Sequence, residues 1–262
     1  EGIVGLVNLI RVAETGTDLR GREWPELGRR LDRFRVLIVP SGNPDGRARC
    51  PYDSFVGVPT RTMTKYGQGT RRDGSFYGWP GAKAVHPMKG DVGILGAYFN
   101  DDGVNPMHDD FFLPMAQETE AILRLARDEA PDLAVSLHSH ESPPVVLQAS
   151  YVPIFMKERI TALSKRVKER YEGDGLPSGS VLEPYLEDEE PGPVRSFNLT
   201  SALHHVSGAM AFTFECSHGS TGERGTPVSH EQILDVQLTL YEEMLGYVLD
   251  NRLTWEPPAE AR

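Results

Sequence analysis

The sequence predicts an α/β sandwich. Stretches with helical apolar periodicity alternate with short apolar strands, which is the pattern of a layered α/β domain. The 262 residues suffice for one large domain with a sizeable core, and no internal repeat, low-complexity tract or linker divides them. Two of the strands end abruptly in reactive side chains, and in open α/β sheets ligands bind beyond the carboxyl ends of the strands.

Taken in order, residues 2–14 read as an amphipathic helix, with Ile3, Leu6, Val7 and Ile10 as its core stripe. Residues 34–40, FRVLIVP, read as a buried strand stopped by Pro40, followed by the turn-rich SGNPDGRAR. Residues 51–112 carry little periodicity and many Gly, Pro and aromatic residues. So long a connection is either a functional loop or a surface excursion hiding short strands. Residues 114–128 are expected to be helical, 132–137 a strand, 156–172 a helix, 209–216 a strand and 229–249 a helix. The core stripe of the 156–172 helix is Ile160, Leu163, Val167 and Tyr171. That of the 229–249 helix is Leu234, Leu238, Tyr241, Leu245 and Val248. The tail 255–262 is expected to be loose.

Composition narrows the function. The formal charge is −11, which argues against a nucleic-acid backbone as the main partner. No apolar run approaches the ~20 residues of a membrane span. Two cysteines, Cys50 and Cys216, allow one disulfide but no disulfide framework and no Cys-x-x-Cys metal pair. Cys216 is expected to be buried and inert. GTRRDG (69–74) lacks the Gly-Lys-Ser/Thr ending of a phosphate loop.

The candidate chemistry lies at the strand ends. DLAVSLHSHESPP (132–144) begins as a buried strand and breaks into His138, His140 and Glu141. FTFE (212–215) closes on Glu215 after the alternating Met210, Phe212 and Phe214. A carboxylate beside apolar surface must be paired, bound to a metal, or raised in pKa, and a raised pKa suits a general base.

In order, PSGNPDGRAR (40–49), YFNDDG (98–103), AQETEAI (116–122), SLHSH (136–140) and FTFE (212–215) resemble the zinc metallocarboxypeptidase family, the carboxypeptidase A-like peptidases. The resemblance covers nearly the whole chain. It implies a three-layer sandwich whose mixed central sheet has helices on both faces, of the phosphorylase/hydrolase-like, zinc exopeptidase type. It implies that His138 is a zinc ligand and that Glu215 is the general base acting on zinc-bound water. The expected substrate is a peptide or small amide, and the expected cofactor is Zn²⁺.

Two departures stand out. The family's His-x-x-Glu ligand motif precedes an N-terminal helix, and this sequence opens at EGIVGLVNLI. The first strands and that motif are therefore expected upstream of Glu1, with Glu1 itself as an alternative ligand. His138-Ser139-His140-Glu141 also spells His-x-x-Glu, but the flanking strand and Pro143-Pro144 make it a chance match, with His140 lining the pocket.

The second departure concerns the family's Asn-Arg pair, which grips a terminal carboxylate. Here Asn100 is followed by Asp101. Arg71, Arg72, Lys83 and Arg195 are candidates for the missing cation, and Tyr185 for an assisting phenol. Alternatively the substrate has no free carboxylate there. Asp101, Asp102, Asp109 and Asp110 read as a solvated loop or, less readily, a cation site. His204 and His205 read as a structural pair.

Overall fold

A computed structural model describes residues 1–186, 196–222, 225–251 and 253. Arg195 and the 255–262 tail lie outside them. The element order is α1 (Gly2–Thr15), α2 (Pro25–Leu31), α3 (Pro44–Arg49), α4 (Thr60–Gly67) and α5 (Gly81–Ala84), then a 3₁₀ turn (Pro106–His108) and α6 (Gln117–Glu129). It continues with β1 (Leu133–His140), β2 (Val145–Gln148), α7 (Ile154–Gly173), α8 (Leu199–Ser207), β3 (Met210–Ser217) and α9 (His230–Asp250). The chain is therefore α/β, as expected.

Among the described residues the sheet has three strands in the order β1-β3-β2, with β1 parallel and β2 antiparallel to β3. Strand side chains alternate between faces. Leu133, Val135 and Leu137 of β1 join Met210, Phe212, Phe214 and Cys216 of β3 in a large core with α1, α2, α7 and α9. Ala134 and Ala211 face the other way, against Leu123 and Ala126 of α6 and Leu199, Ala202 and Leu203 of α8. Helices thus pack on both faces.

α9 begins at a capping box. The Ser229 side chain accepts from the Gln232 N–H, and the Gln232 side chain accepts from the Ser229 N–H. Two otherwise orphaned donors are satisfied at once. Ser229→Ala should lower stability by about 1 kcal/mol, as read from urea denaturation. The same helix is buried nearly all round, and its Glu242 and Glu243 are paired with Arg170 and Arg166 of α7.

Two sequence expectations are corrected. Ile3, Val7 and Ile10 of α1 are exposed at 42%, 47% and 45%, whereas Gly5, Asn8, Leu9 and Val12 are buried. Close approach decided the face. A Cβ on Gly5 would stand 2.8 Å from Gln237 Cβ and 2.9 Å from the Tyr241 hydroxyl, so only the glycine side fits against α9. Asn8 is anchored there because its Oδ1 accepts the Leu19 N–H at 2.9 Å. Residues 34–40 form no strand, and Val36, Leu37 and Val39 are exposed. A strand exists only with a hydrogen-bonded neighbour, and among the described residues this segment pairs with none.

The segment 51–112 contains short helices rather than strands, pinned by isolated bridges from Thr70 to Phe76 and Ile94. α2 and α8 were not anticipated. No helix among the described residues is long and apolar enough to cross a membrane.

Candidate active site

The parallel register of β1 and β3 sets His138 directly beside Glu215, on the face opposite the aromatic core. The antiparallel strand β2 places Val145 on Glu215's other side. Glu215 is therefore not shielded by Phe212 and Phe214, which point away from it. Its surroundings are the strand neighbours and the loops above the tips.

Burial first, and the negative charge of Glu141 second, push the Glu215 carboxyl from its ordinary 4.5 up to about 7. Burial alone pushes the His138 imidazole down to about 4, and its Nε2 lies 2.9 Å from Ser136 Oγ on the same strand face. At neutral pH the site therefore holds a neutral imidazole beside a carboxyl poised between its two protonation states. Glu1 lies within electrostatic reach of Cys216, His218 and Tyr98, and Gly2 packs against Leu137. The start of α1 thus approaches the same strand ends.

The NPDG turn has a structural reason. Asn43 caps α3, its Oδ1 accepting the Gly46 N–H at 3.0 Å while its Nδ2 donates to the Ala97 carbonyl at 3.0 Å. Pro44 occupies the first helical position, where a missing N–H costs nothing. A Cβ on Gly46 would lie 2.0 Å from the Ala97 carbonyl oxygen, so only glycine lets α3 and the 96–101 loop meet.

That loop carries the other expected residues. Asn100 is buried, and its Oδ1 accepts from the Asp102 and Val104 N–H groups at 3.1 and 2.9 Å. Its amide donates to Glu118 Oε2 at 3.3 Å, so it shapes the loop. Asp101 is exposed and ion-paired with Arg49, whose guanidinium also donates to the Phe99 carbonyl and, at 3.2 Å, to the Gly96 carbonyl. The negative charge at this position is thus matched from α3.

The remaining candidates separate. His140 Nε2 lies 2.9 Å from the Pro143 carbonyl, and burial lowers its pKa. It lines a cavity of about 590 Å³ that also takes in Lys168 and Ser180. Arg71 and Arg72 line a different cavity, which includes neither His138 nor Glu215. Tyr185 lies over Lys157, with its hydroxyl 3.2 Å from Ser150 Oγ. Lys83 donates to Ser196 Oγ at 3.1 Å, and its charge reaches His108. His204 and His205 are tied to the Ala209 and Tyr151 carbonyls, a structural pair. Asp109 is buried, accepting the Asp110 and Ala116 N–H groups, so part of the acidic loop is a backbone clamp.

Cys50 and Cys216 are both free thiols, and burial pushes Cys216 up to about 12, which leaves it inert at neutral pH.

Three residues not singled out from the sequence belong to this neighbourhood. Burial, then the charges of Lys83, His138 and His86, push His108 down to about 3, and its Nδ1 is buried with no partner among the described residues. His218 is almost wholly buried, its Nδ1 accepting the Ser220 N–H at 3.2 Å and its Nε2 without a partner among the described residues. Burial raises the Tyr98 hydroxyl to about 12, with Gln68 as its hydrogen-bond partner and Glu215, Glu141 and Glu1 adding to the rise. Tyr98 opens the quoted YFNDDG and His108 precedes Asp109, but only the folded loop brings them to the tips.

Among the described residues no group of three or more His, Cys, Asp or Glu side chains is placed to hold a metal ion. A catalytic zinc normally takes three protein ligands. The donors present, one imidazole beside a carboxyl that favours its proton, do not fit that ion by themselves. No family model matches the chain, and no curated protein matches it.

Proposed function

We propose that the chain carries the general-base half of a zinc-dependent amide hydrolase of the metallocarboxypeptidase type. His138 would be one metal ligand and the others would come from residues upstream of Glu1. The observation that supports this is the His138–Glu215 register, with the carboxyl raised to about 7. Glu215 accepts a proton from the attacking water as that water adds to the amide carbonyl carbon. It then returns the proton to the departing amine nitrogen. A carboxylate of ordinary acidity would be a weaker base at neutral pH. Tyr98, whose hydroxyl feels the charge of Glu215, is a neighbouring donor that could polarise a carbonyl or orient a substrate. The helices on both faces of the sheet support the three-layer, zinc-exopeptidase-type arrangement.

Two observations favour variants of this reading. Asp101 stands where a carboxylate-gripping cation is expected and is held by Arg49, which suits a deacylase or amidase of small N-acyl compounds. The lack of a three-ligand group among the described residues suits a non-catalytic binding module on the same scaffold.

The test has two arms. A His-x-x-Glu encoded just upstream of Glu1, with zinc retained by the protein that includes it, supports hydrolysis; its absence leaves the binding module. A panel of C-terminally free peptides, amidated peptides and N-acyl amino acids then divides peptidase from deacylase. Cleavage confined to the free peptides removes the deacylase.

A further inference from the structure

We infer that a second cavity, apart from the strand tips, binds a small phosphoryl-bearing anion through four cationic side chains. The cavity is about 490 Å³, the size of a small-molecule site, and Arg61, Lys65, Arg71 and Arg72 all line it together with Thr62 and Phe76. Among the described residues no Asp or Glu lines it, in a chain whose formal charge is −11.

The concentration of charge is built in two ways. Arg61 and Lys65 stand four residues apart on α4, and residues at that spacing share a helix face. Arg71 and Arg72 come from the tight loop closed by the Thr70–Phe76 bridge and fastened to Ile94. Gly93 allows the close approach there, since a Cβ on it would lie 2.3 Å from the Arg71 carbonyl oxygen.

The neighbouring carboxylates are turned to other work. Asp73 accepts the Ser75 N–H at 2.8 Å and feels the charge of Arg71. Asp91 accepts the Arg72 N–H at 3.1 Å. None of the four cations forms an ion pair among the described residues. Arg61 and Arg71 instead lie over the Phe76 and Tyr77 rings, at 5.3 and 4.5 Å, and Arg71 donates to the Phe76 carbonyl at 2.9 Å. Aromatic stacking orients guanidinium planes while leaving N–H edges for a ligand.

Four like charges around one cavity repel each other until an anion arrives. Guanidinium forks match phosphate oxygens two at a time, and a multiply charged phosphoryl group answers four cations better than a single carboxylate. This is recognition by side chains, unlike a glycine-rich loop that cradles phosphate with backbone amides. It does not depend on the hydrolytic reading.

The test is calorimetric titration of the whole chain with inorganic phosphate, pyrophosphate and citrate at about 0.15 M salt. Saturable binding is expected, tighter for pyrophosphate than for phosphate. Arg61→Ala with Arg72→Ala, both at exposed positions, should weaken it about tenfold or more. Lys89→Ala, an exposed control outside the cavity, should leave it unchanged, and the ligand-free melting temperature should not fall in any variant. Three results would each overturn the inference: no saturable pyrophosphate binding up to about 10 mM, binding that survives the double substitution, or citrate binding as tightly as pyrophosphate. Equal loss in the control would overturn it as well, by marking the binding as diffuse.

Discussion

Glu215→Gln is expected to make the protein more stable above neutral pH. In the fold the Glu215 carboxyl keeps its proton up to about pH 7, whereas in the unfolded chain it ionises near its ordinary 4.5. Between those values the unfolded chain binds fewer protons than the native one, so stability falls as pH rises. The contribution of this group is full below pH 4.5 and gone above about 7. Glutamine cannot ionise and escapes the loss. At pH 8 the variant should exceed the parent by roughly 2 kcal/mol, a figure reduced for the site's partial contact with water, and at pH 4 the two should coincide. Urea denaturation across that range measures it.

Comparison with the parent matters because His138 acts in the opposite sense. Its pKa is pushed from 6.5 down to about 4, so its contribution is present above 6.5 and lost as pH falls toward 4. That slope is common to both proteins and cancels in the difference. In a preparation that hydrolyses amides, the same substitution should cost about 10²–10⁴ in rate with metal content unchanged. Equal stability at pH 8 would show that Glu215 is an ordinary solvated carboxylate. Undiminished turnover would remove it from catalysis.

Phe214→Ala should be the most damaging core substitution near the site. Phe214 is fully buried in the central strand, in register with Leu137 on one side and Val146 on the other. Removing its ring deletes buried apolar surface and leaves a cavity that a sheet flanked by α7 and α9 closes poorly. The expected loss is about 3–5 kcal/mol, a large part of a typical domain's 5–15 kcal/mol. The effect should extend to Glu215, because Phe214 anchors the strand that presents it. A midpoint shift in urea worth less than about 1 kcal/mol would mean that this strand is not the packed centre of the sheet.

Much of the architecture was legible in residue order. The stripe Ile160, Leu163, Val167 and Tyr171 is buried along α7, and the 229–249 periodicity matches α9 closely. α7 buries one apolar face that has no rival, and α9 is buried nearly all round, so no choice of face could misplace it. α1 was legible as a helix but not in its orientation. Two faces were apolar enough to be core, and Gly5 against α9 chose between them. RVLIVP had the composition of a strand, yet a strand is defined by its neighbour, which composition does not specify.

At the candidate site, the sequence alone determined that a histidine and a glutamate lie toward the carboxyl ends of two apolar strands, because alternation is written locally; both strands run two residues past them, to His140 and Ser217. The tertiary structure decided that those ends lie side by side, that Glu215 faces away from the aromatic core, and that Tyr98, His108 and His218 surround the tips. It also sent Arg71 and Arg72 to a cavity of their own. Register, burial and the pKa values that follow from them arise between segments distant along the chain, and no local pattern encodes that meeting.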